Sequence, residues 1–566
     1  MRKILFSTVI RPFGIESDSC TTQIQPELFH GQVTLAQGIF SIRAVYGGFG
    51  LEFIALNIDA HSVILNYPSE SEFIKELQKG YEFVGITFVM CTYQKMEKMV
   101  ALVRTHATES KIILGGYGTS VPGVDALADY VCREEGVGFM RRLLGQDVDA
   151  PIEHPVIPEV KKVLGYPTGA GSIILAGLGC PNGCDFCTTS HFFKRRHYPI
   201  LKTGEDIWRV IQKIDAKLNT RMFGIMEEDF LLYKTRVLEL AEITRQEVKR
   251  PVRLSGFSSI RAISMYDPVF LAEMGIDSLW VGIESKSSAE LRAQNRDKKI
   301  DYHGNQTNIS SYPKMDNIDI QGTLEALQDV GINTLVSMII GLEHHTEPTV
   351  LEDLEYHLSL KPSLSQFLIY TAIPGTPLYD CLNKESRILH DLSWHKIDGF
   401  MANFRHPHLS SEDLQRLQMH CFEQDYEVLG ASAFRFVQIS LNGYRRFHDS
   451  DVPMQQALAK VHEKKCKQIY PLLDIGIKYA PNDEIVGMLQ DLKEEIQEFF
   501  GPPGLKQRIM ARLAKPAAAH CQKLIETGNW TIQPRLDRVE YRGKKVTNPK
   551  WRLWKMILPQ PTRAKK

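Results

Sequence analysis

The chain has 566 residues, 43% of them hydrophobic, which is too long for one ordinary domain and enough to bury the cores of about two or three. Lys+Arg and Asp+Glu are both 67, a formal net charge of +0, so no global field steers the chain to nucleic acid or to an acidic membrane, and any such contact must be local. Apart from one cluster the 10 cysteines are scattered, in a chain too large to need disulfide staples, which points to a reducing, cytoplasmic setting.

The opening, MRKILFSTVIRPFG, is basic and then apolar, but Arg11 stops the run short of signal-peptide length, and a buried first strand is expected. No apolar segment reaches the roughly 18 to 20 residues needed to span a bilayer, so membrane contact is at most peripheral. Over 1–145, the runs KILFSTV, HSVILNY, FVGITFV, KIILGG and DYVC alternate with helical patterns, which predicts a doubly wound α/β domain with a parallel sheet. Ligands of such sheets sit beyond the carboxyl ends of the strands. There Gly115, Gly116 and Gly118 of GGYGTS would let a ligand approach the backbone, although a plain tight turn accounts for the same residues.

The proline-rich stretch DAPIEHPVIPEVKKVLGYPTGAG has no sustained period and reads as a linker over 146–170. Across 171–405 the runs SIILAGLG, MFGIMEE, VRLSGFSSI, SLWVGIES, TLVSMIIG and QFLIYTAIP are separated by helical patterns such as GEDIWRVIQKIDAKL. These βα units predict a barrel or part of one, with its chemistry at the carboxyl ends of the strands. From 406 to 566 the strands stop and the pattern is mainly helical, opening on a capping box of Ser410 and Asp413. The last segment carries Lys544, Lys545, Lys550, Arg552, Lys555, Arg563, Lys565 and Lys566 with Trp551 and Trp554 interleaved. It reads as a solvated tail, with contact to lipid or nucleic acid as the alternatives.

GLGCPNGCDFC, at 177–187, crowds Cys180, Cys184 and Cys187 into a glycine-rich turn. A structural zinc site takes four ligands, usually as paired knuckles, and no second close Cys/His pair follows. An iron-sulfur cluster is held by thiolates, and three of them leave one iron open to an external ligand. The cysteines begin at the end of the first barrel strand, where Gly177, Gly179 and Gly183 let the chain wrap an inorganic core, and Phe186 is placed to pack against a flat ligand.

C-x3-C-x2-C with an aromatic before the last cysteine resembles the radical S-adenosylmethionine (SAM) superfamily, and further motifs follow in order. MEEDF (Glu227, Glu228, Asp229, Phe230) ends the second strand and resembles the acidic motif that holds the SAM amino group, an ordinary acidic turn being the alternative. In GIES, Glu284 and Ser285 resemble residues that contact the SAM ribose or carboxylate. IIGL with Gly341, and TAIPGTPLY with Pro374 to Pro377, resemble strand ends whose backbone lines the adenine. Ser258 and Arg261 in SSIRA are weaker matches, and a structural salt bridge fits Arg261 equally. The resemblance implies a partial (β/α)6 barrel holding a [4Fe-4S] cluster on the three cysteines, with reductive cleavage of SAM to a 5′-deoxyadenosyl radical that removes a hydrogen atom from an unactivated carbon. It also implies a low-potential electron donor such as flavodoxin or ferredoxin.

A flavodoxin-like domain before such a barrel resembles the cobalamin-binding-domain class of the superfamily, over roughly 1–430, with VGITF, ILGGYGTS and VCREEG at the corresponding strand ends. The class implies cobalamin and a small-molecule substrate, of a lipid-like or other apolar kind, for methylation, cyclisation or oxidation, with no nucleic acid. One departure stands out: the loop after the first strand, RPFGIESDSC, lacks D-x-H-x-x-G, and the nearest echo, His61 in DAHSVI, precedes the second strand.

Methylthiotransferases also place an α/β domain before the barrel, with a second cluster on three more cysteines. Cys20, Cys91 and Cys132 are available, but buried inert thiols account for them as well. A non-catalytic iron-sulfur protein for electron transfer or oxygen sensing is the reading outside enzymology, and it leaves the strand-end motifs unexplained. His191, Lys194, Arg195, Arg196 and His197 follow the cluster and suit substrate carboxylates or phosphates, or a solvated loop. His344 and His345 beside the fifth strand suit proton transfer or a surface loop.

Overall fold

A computed structural model describes residues 2–13, 28–164, 166–286, 318–528, 533–543, 545–546, 552–553 and 556. The first sheet contains β1 (Lys3–Ser7), β2 (His61–Asn66), β3 (Phe83–Thr87), β4 (Lys111–Gly115) and β5 (Tyr130–Cys132), parallel in the order β2-β1-β3-β4-β5. That order reverses direction between β1 and β3, which opens a crevice beyond the carboxyl ends of the strands. After its first residue each of β1 and β2 is buried throughout, as near-continuous apolar runs covered on both faces require.

The second sheet contains β6 (Ile157–Val163), β7 (Tyr166–Leu175), β10 (Met222–Met226), β11 (Arg253–Phe257), β12 (Ile276–Glu284), β13 (Asn333–Ile340) and β14 (Leu364–Ile369). Between β7 and β10 run the short β8 (Gly177–Leu178) and β9 (Tyr198–Pro199). From β7 through β14 the strands of this sheet are parallel neighbours in chain order, the arrangement of a curled half-barrel. In β10, Phe223 and Ile225 bury against the helices outside, with Ile211 and Leu240, while Met222, Gly224 and Met226 turn to the concave side. Alternation of two residues thus separates core from site.

Two expectations are corrected. The stretch read as a linker forms β6 and the first half of β7, an antiparallel pair that caps the edge of the half-barrel. Prolines at 158 and 167 hide it, because an edge strand tolerates the missing donors. Nor do strands stop at 406: β15 (Asp537–Arg542) pairs antiparallel with β2, and β16 (Lys545–Val546) with β15, completing a seven-stranded sheet. Val539 and Tyr541 bury beside Ile64, and Arg552 is buried, bonded to Glu52 and to Asp537 at 2.7 Å each. That part of the basic end is therefore packed structure, not a solvated tail. Lys544, Lys550, Trp551, Trp554, Lys555, Arg563, Lys565 and Lys566 lie outside the described residues.

The helices Ser411–Leu429, Ser432–Phe447, Pro453–Gln468, Tyr470–Lys478, Asp483–Phe500 and Leu505–Glu526 form the C-terminal block, the first opening on the expected Ser410–Asp413 box. They close the half-barrel from below: Phe434, Val437 and Leu473 share a core with Leu335 and Leu364. Between the first sheet, the concave face of the second and this block lies a cavity of about 1260 Å³, reached by Thr87 and Gly115, by Phe257 and Trp280, and by Phe436 and Met510.

Candidate active site

The cysteine loop is tied at its base by the β8–β9 ladder. Gly179 has φ +79, and a Cβ there would stand 2.2 Å from the Arg196 carbonyl oxygen, so the chain folds this tightly only with glycine. Ser190 Oγ donates to the Cys180 carbonyl at 2.7 Å, the Cys187 N–H to the Cys184 carbonyl at 3.1 Å, and His191 Nε2 meets the same carbonyl at 3.0 Å. These bonds fix the backbone of all three cysteines and engage none of the sulfurs.

Cys180, Cys184 and Cys187 take part in no disulfide. Burial raises each thiol; Asp229 and then Cys184 and Cys187 raise Cys180 further, which places the three sulfurs within electrostatic reach of one another. Among the described residues no three His, Cys, Asp or Glu side chains converge on a single-ion site. Three thiols near one another on one loop fit a cluster, in which each binds a different iron. The charge of bound metal would reverse the effect of burial and hold them as thiolates.

The acidic residues ending β10 have separate surroundings. Glu227 is buried, with Oε1 at 2.6 Å from His197 Nε2 and Oε2 at 2.6 Å from Arg236 Nη2, while His197 stacks on Tyr233 with centroids 4.0 Å apart. Side chains of the chain itself, His197 and Arg236, hold both of its oxygens. Asp229 accepts from Ser258 Oγ at 2.8 Å, the Ser259 N–H at 3.0 Å and Asn182 Nδ2 at 2.9 Å, and Asn182 Oδ1 accepts from Arg261 at 3.1 Å. It pins the cysteine loop to the ends of β10 and β11, and Ser258 and Arg261 belong to that brace. Glu228 alone keeps a buried oxygen, Oε2, without a hydrogen-bond partner, and burial, then the charge of Glu227, pushes its carboxyl up to about 7.

Glu284 ends β12 at φ +65, where the pairing with β13 shifts register. Burial pushes its carboxyl up to about 8, and it makes no hydrogen bond or ion pair among the described residues. Both Glu228 and Glu284 act on the Cys187 thiol, so the two carboxylates flank one cysteine. Ser285 is buried, its N–H on the Ile283 carbonyl at 2.8 Å, and Gly341 gives its N–H to His345 Nδ1 at 3.1 Å, which makes the buried His345 a brace of that turn. Phe186 packs edge-on against Tyr370, whose hydroxyl donates to Asp185 at 3.2 Å, and the Leu378 N–H donates to the Asp185 carbonyl at 3.2 Å. Through these contacts the turn from Pro374 to Pro377 reaches the cysteine loop. Lys194 and Arg195 form its left-handed corner, with Arg195 close over Gly183.

The first sheet presents Gly115, Gly116 and Tyr117 to the same place. Gly116 has φ +91, and a Cβ there would stand 2.6 Å from the Phe88 carbonyl oxygen. Thr189 Oγ1, from the helix that follows Cys187, donates to Tyr117 Oη at 3.2 Å, and Phe192 packs edge-on against Tyr117. The floor of glycines and the broad cavity above it fit a large flat ring, and no described histidine lines that cavity. His61 begins β2, at the opposite end of the sheet, bonded to Glu540 at 2.9 Å, so it serves no ligand there. Cys132 lines the cavity with its thiol pushed up to about 11 by burial, Cys91 joins no metal-holding group, and Cys20 lies outside the described residues. Asn182, Arg236, Tyr117 and Tyr370 escaped the sequence reading. Asn182, inside the cysteine motif, and Tyr117, inside GGYGTS, had a local signal.

No family model matches the chain. An uncharacterized methyltransferase of Pyrococcus horikoshii is 25% identical over 284 residues, 49% of this chain and 56% of that protein. The hopanoid C-2 methylase of Rhodopseudomonas palustris is 23% identical over 220 residues, 38% of each. The chain thus spans about half, or less, of the length of these curated relatives. Among solved structures, the radical SAM methyltransferase TsrM of Kitasatospora setae, with cobalamin and a [4Fe-4S] cluster bound, is 12% identical, with a TM-score of 0.49 over 83% of this chain and 100% of that one. The resemblance read from the cysteine motif, to the cobalamin-binding-domain class of radical SAM enzymes, is borne out by the similarity to these relatives.

Proposed function

We propose that this protein is a radical SAM enzyme that uses cobalamin to methylate, or without methyl transfer to cyclise, an unactivated carbon of an apolar small molecule. The observation that carries this reading is the grouping about Cys187: three thiols on a braced loop, Cys180 buried and Cys184 and Cys187 half-buried, the half-buried carboxylates Glu228, with one oxygen unmatched, and Glu284, and the glycine floor of the first sheet. A [4Fe-4S] cluster on Cys180, Cys184 and Cys187 would supply, once reduced by a flavodoxin- or ferredoxin-like donor, the electron and the open iron that SAM cleavage needs. Glu228 and Glu284 accept the N–H groups of the SAM ammonium, a charge-assisted contact that repairs the desolvation of both partners. Gly115 and Gly116 would let a cobalamin ring lie against the backbone, and no described residue lining the cavity is a histidine. Phe257, Trp280 and Phe436 line the space left for substrate with apolar surface and exclude water from it. The similarity to a hopanoid methylase supports methylation of an apolar carbon.

The test is 5′-deoxyadenosine formation by protein purified without oxygen, together with its cobalt content. Cys184→Ala is expected to abolish the product, and formation at the parent rate would refute the site. Stoichiometric cobalamin supports methyl transfer. None, with iron intact, moves the reaction to a rearrangement or coupling by the deoxyadenosyl radical alone.

A further inference from the structure

The helix Leu505–Glu526 turns an apolar side to solvent. Leu505, Ile509 and Leu513, spaced i, i+4 and i+8, are 69%, 49% and 61% exposed, with Met510 beside them at 48%. Its other side, through Ala514, Ala518 and Cys521, is buried in the C-terminal block, so the helix already has its core partner. The outward side of such a helix is ordinarily polar. Here the charges that accompany it have one sign: from 505 to 523 they are Lys506, Arg508, Arg512, Lys515 and Lys523, and the first acid is Glu526. Lys515 meets Asp474 at 3.6 Å, whereas Lys506, Arg508 and Arg512 are exposed and form no ion pair among the described residues. In a chain of net charge +0 this is a local excess. The same helix also closes one end of the cavity, which Met510 and Leu513 line together with Phe436 and Leu472.

We propose that the helix Leu505–Glu526 docks on an anionic lipid surface with Leu505, Ile509 and Leu513 in the acyl boundary and Arg508 and Arg512 at headgroup level, and that the cavity opens onto that surface beside Met510. An amphiphilic substrate then passes from the bilayer toward Trp280 without crossing water. The docking stands on the helix alone, and the passage of substrate rests on the function proposed above. An apolar stripe beside a row of cations is the composition of a helix that lies in a membrane interface. No described helix is long and apolar enough to cross a membrane, so the contact is with one leaflet. A protein partner would also cover the apolar stripe, but the cations Lys506, Arg508 and Arg512, with no acid before Glu526, match the continuous negative layer of phosphate headgroups.

Flotation of the full-length protein with vesicles tests the docking. The parent is expected to float with vesicles of equimolar phosphatidylglycerol and phosphatidylcholine, and to bind phosphatidylcholine alone about tenfold or more weakly. L505S/I509S and R508E/R512E are each expected to weaken binding by about tenfold or more. All four side chains are exposed, so an unchanged unfolding temperature certifies the fold of both variants. A parent that stays unbound to anionic vesicles overturns the proposal, as do variants that float like the parent. It is equally overturned by a parent dimer in light scattering that L505S/I509S converts to monomer, since the face would then join two copies of the chain. Formation of 5′-deoxyadenosine, measured without vesicles, reports on the proposed chemistry alone and so separates the failure of one idea from that of the other.

Discussion

Glu227 and Glu228 are neighbours with opposite surroundings, one carboxylate held by Arg236 and His197 and the other with a buried, unmatched oxygen. Glu227→Gln leaves Arg236 buried with half its partner and is expected to lower the unfolding free energy by about 3–5 kcal/mol in a urea titration. Glu228→Gln is expected to leave the iron content intact and weaken SAM binding about tenfold by calorimetry. The pH dependence has a definite sign. The folded carboxyl of Glu228 lies at about 7 against an ordinary 4.5, so between those values the folded chain holds the extra proton and loses stability as pH rises; Glu228→Gln removes that loss in SAM-free protein. The cysteines were legible in the sequence because Cys180, Cys184 and Cys187 all fall within one turn of chain. The division of work between Glu227 and Glu228 was not, because His197 comes from 30 residues away and Arg236 from the following helix.

Central strands and edge strands differed in how far the sequence disclosed them. β1, β3 and β13 are apolar runs because both faces are covered, and such runs stand out. β15 reads DRVEYR, two apolar residues among charges, and its identity depends on β2, which lies far off in the chain. Its charges act together: Arg538 bonds Glu76 and Glu540, and Glu540 also meets His61 and Arg542. Hydrogen bonds from Arg538 hold Glu540 down to about 2. In Glu76, burial works upward but the bonds from Arg538, Lys79 and Tyr81 outweigh it and bring it to about 2 as well. Both carboxyls lie below their ordinary 4.5, so this contribution is full above that pH and is lost as pH falls from there toward 2. Amides of 537–542 are therefore expected to lose hydrogen-exchange protection over that range before those of β3. Tyr541→Ala, which empties a fully buried site, is expected to lower stability by about 3–5 kcal/mol by chemical denaturation.

At the scale of the molecule, the cysteine loop and the glycine floor belong to different sheets and meet through Thr189, Tyr117 and Phe192. Gly116→Val would drive a side chain into the Phe88 backbone at a left-handed position, so the variant is expected to lose cobalt while keeping iron, as elemental analysis can read. Doubly wound and half-barrel patterns were legible because each repeats a local βα unit, whereas the cavity they enclose is a product of assembly that no window of sequence contains. The return of β15 to β2 also sets the order of events during synthesis. Asn66 waits for Asp537, an interval of 471 residues, so at ribosomal speed the first sheet stays open at one edge for about half a minute or more. For that time the nascent chain offers β2 as a bare template for pairing with its neighbours, and chaperone dependence during translation follows from where this one strand is encoded.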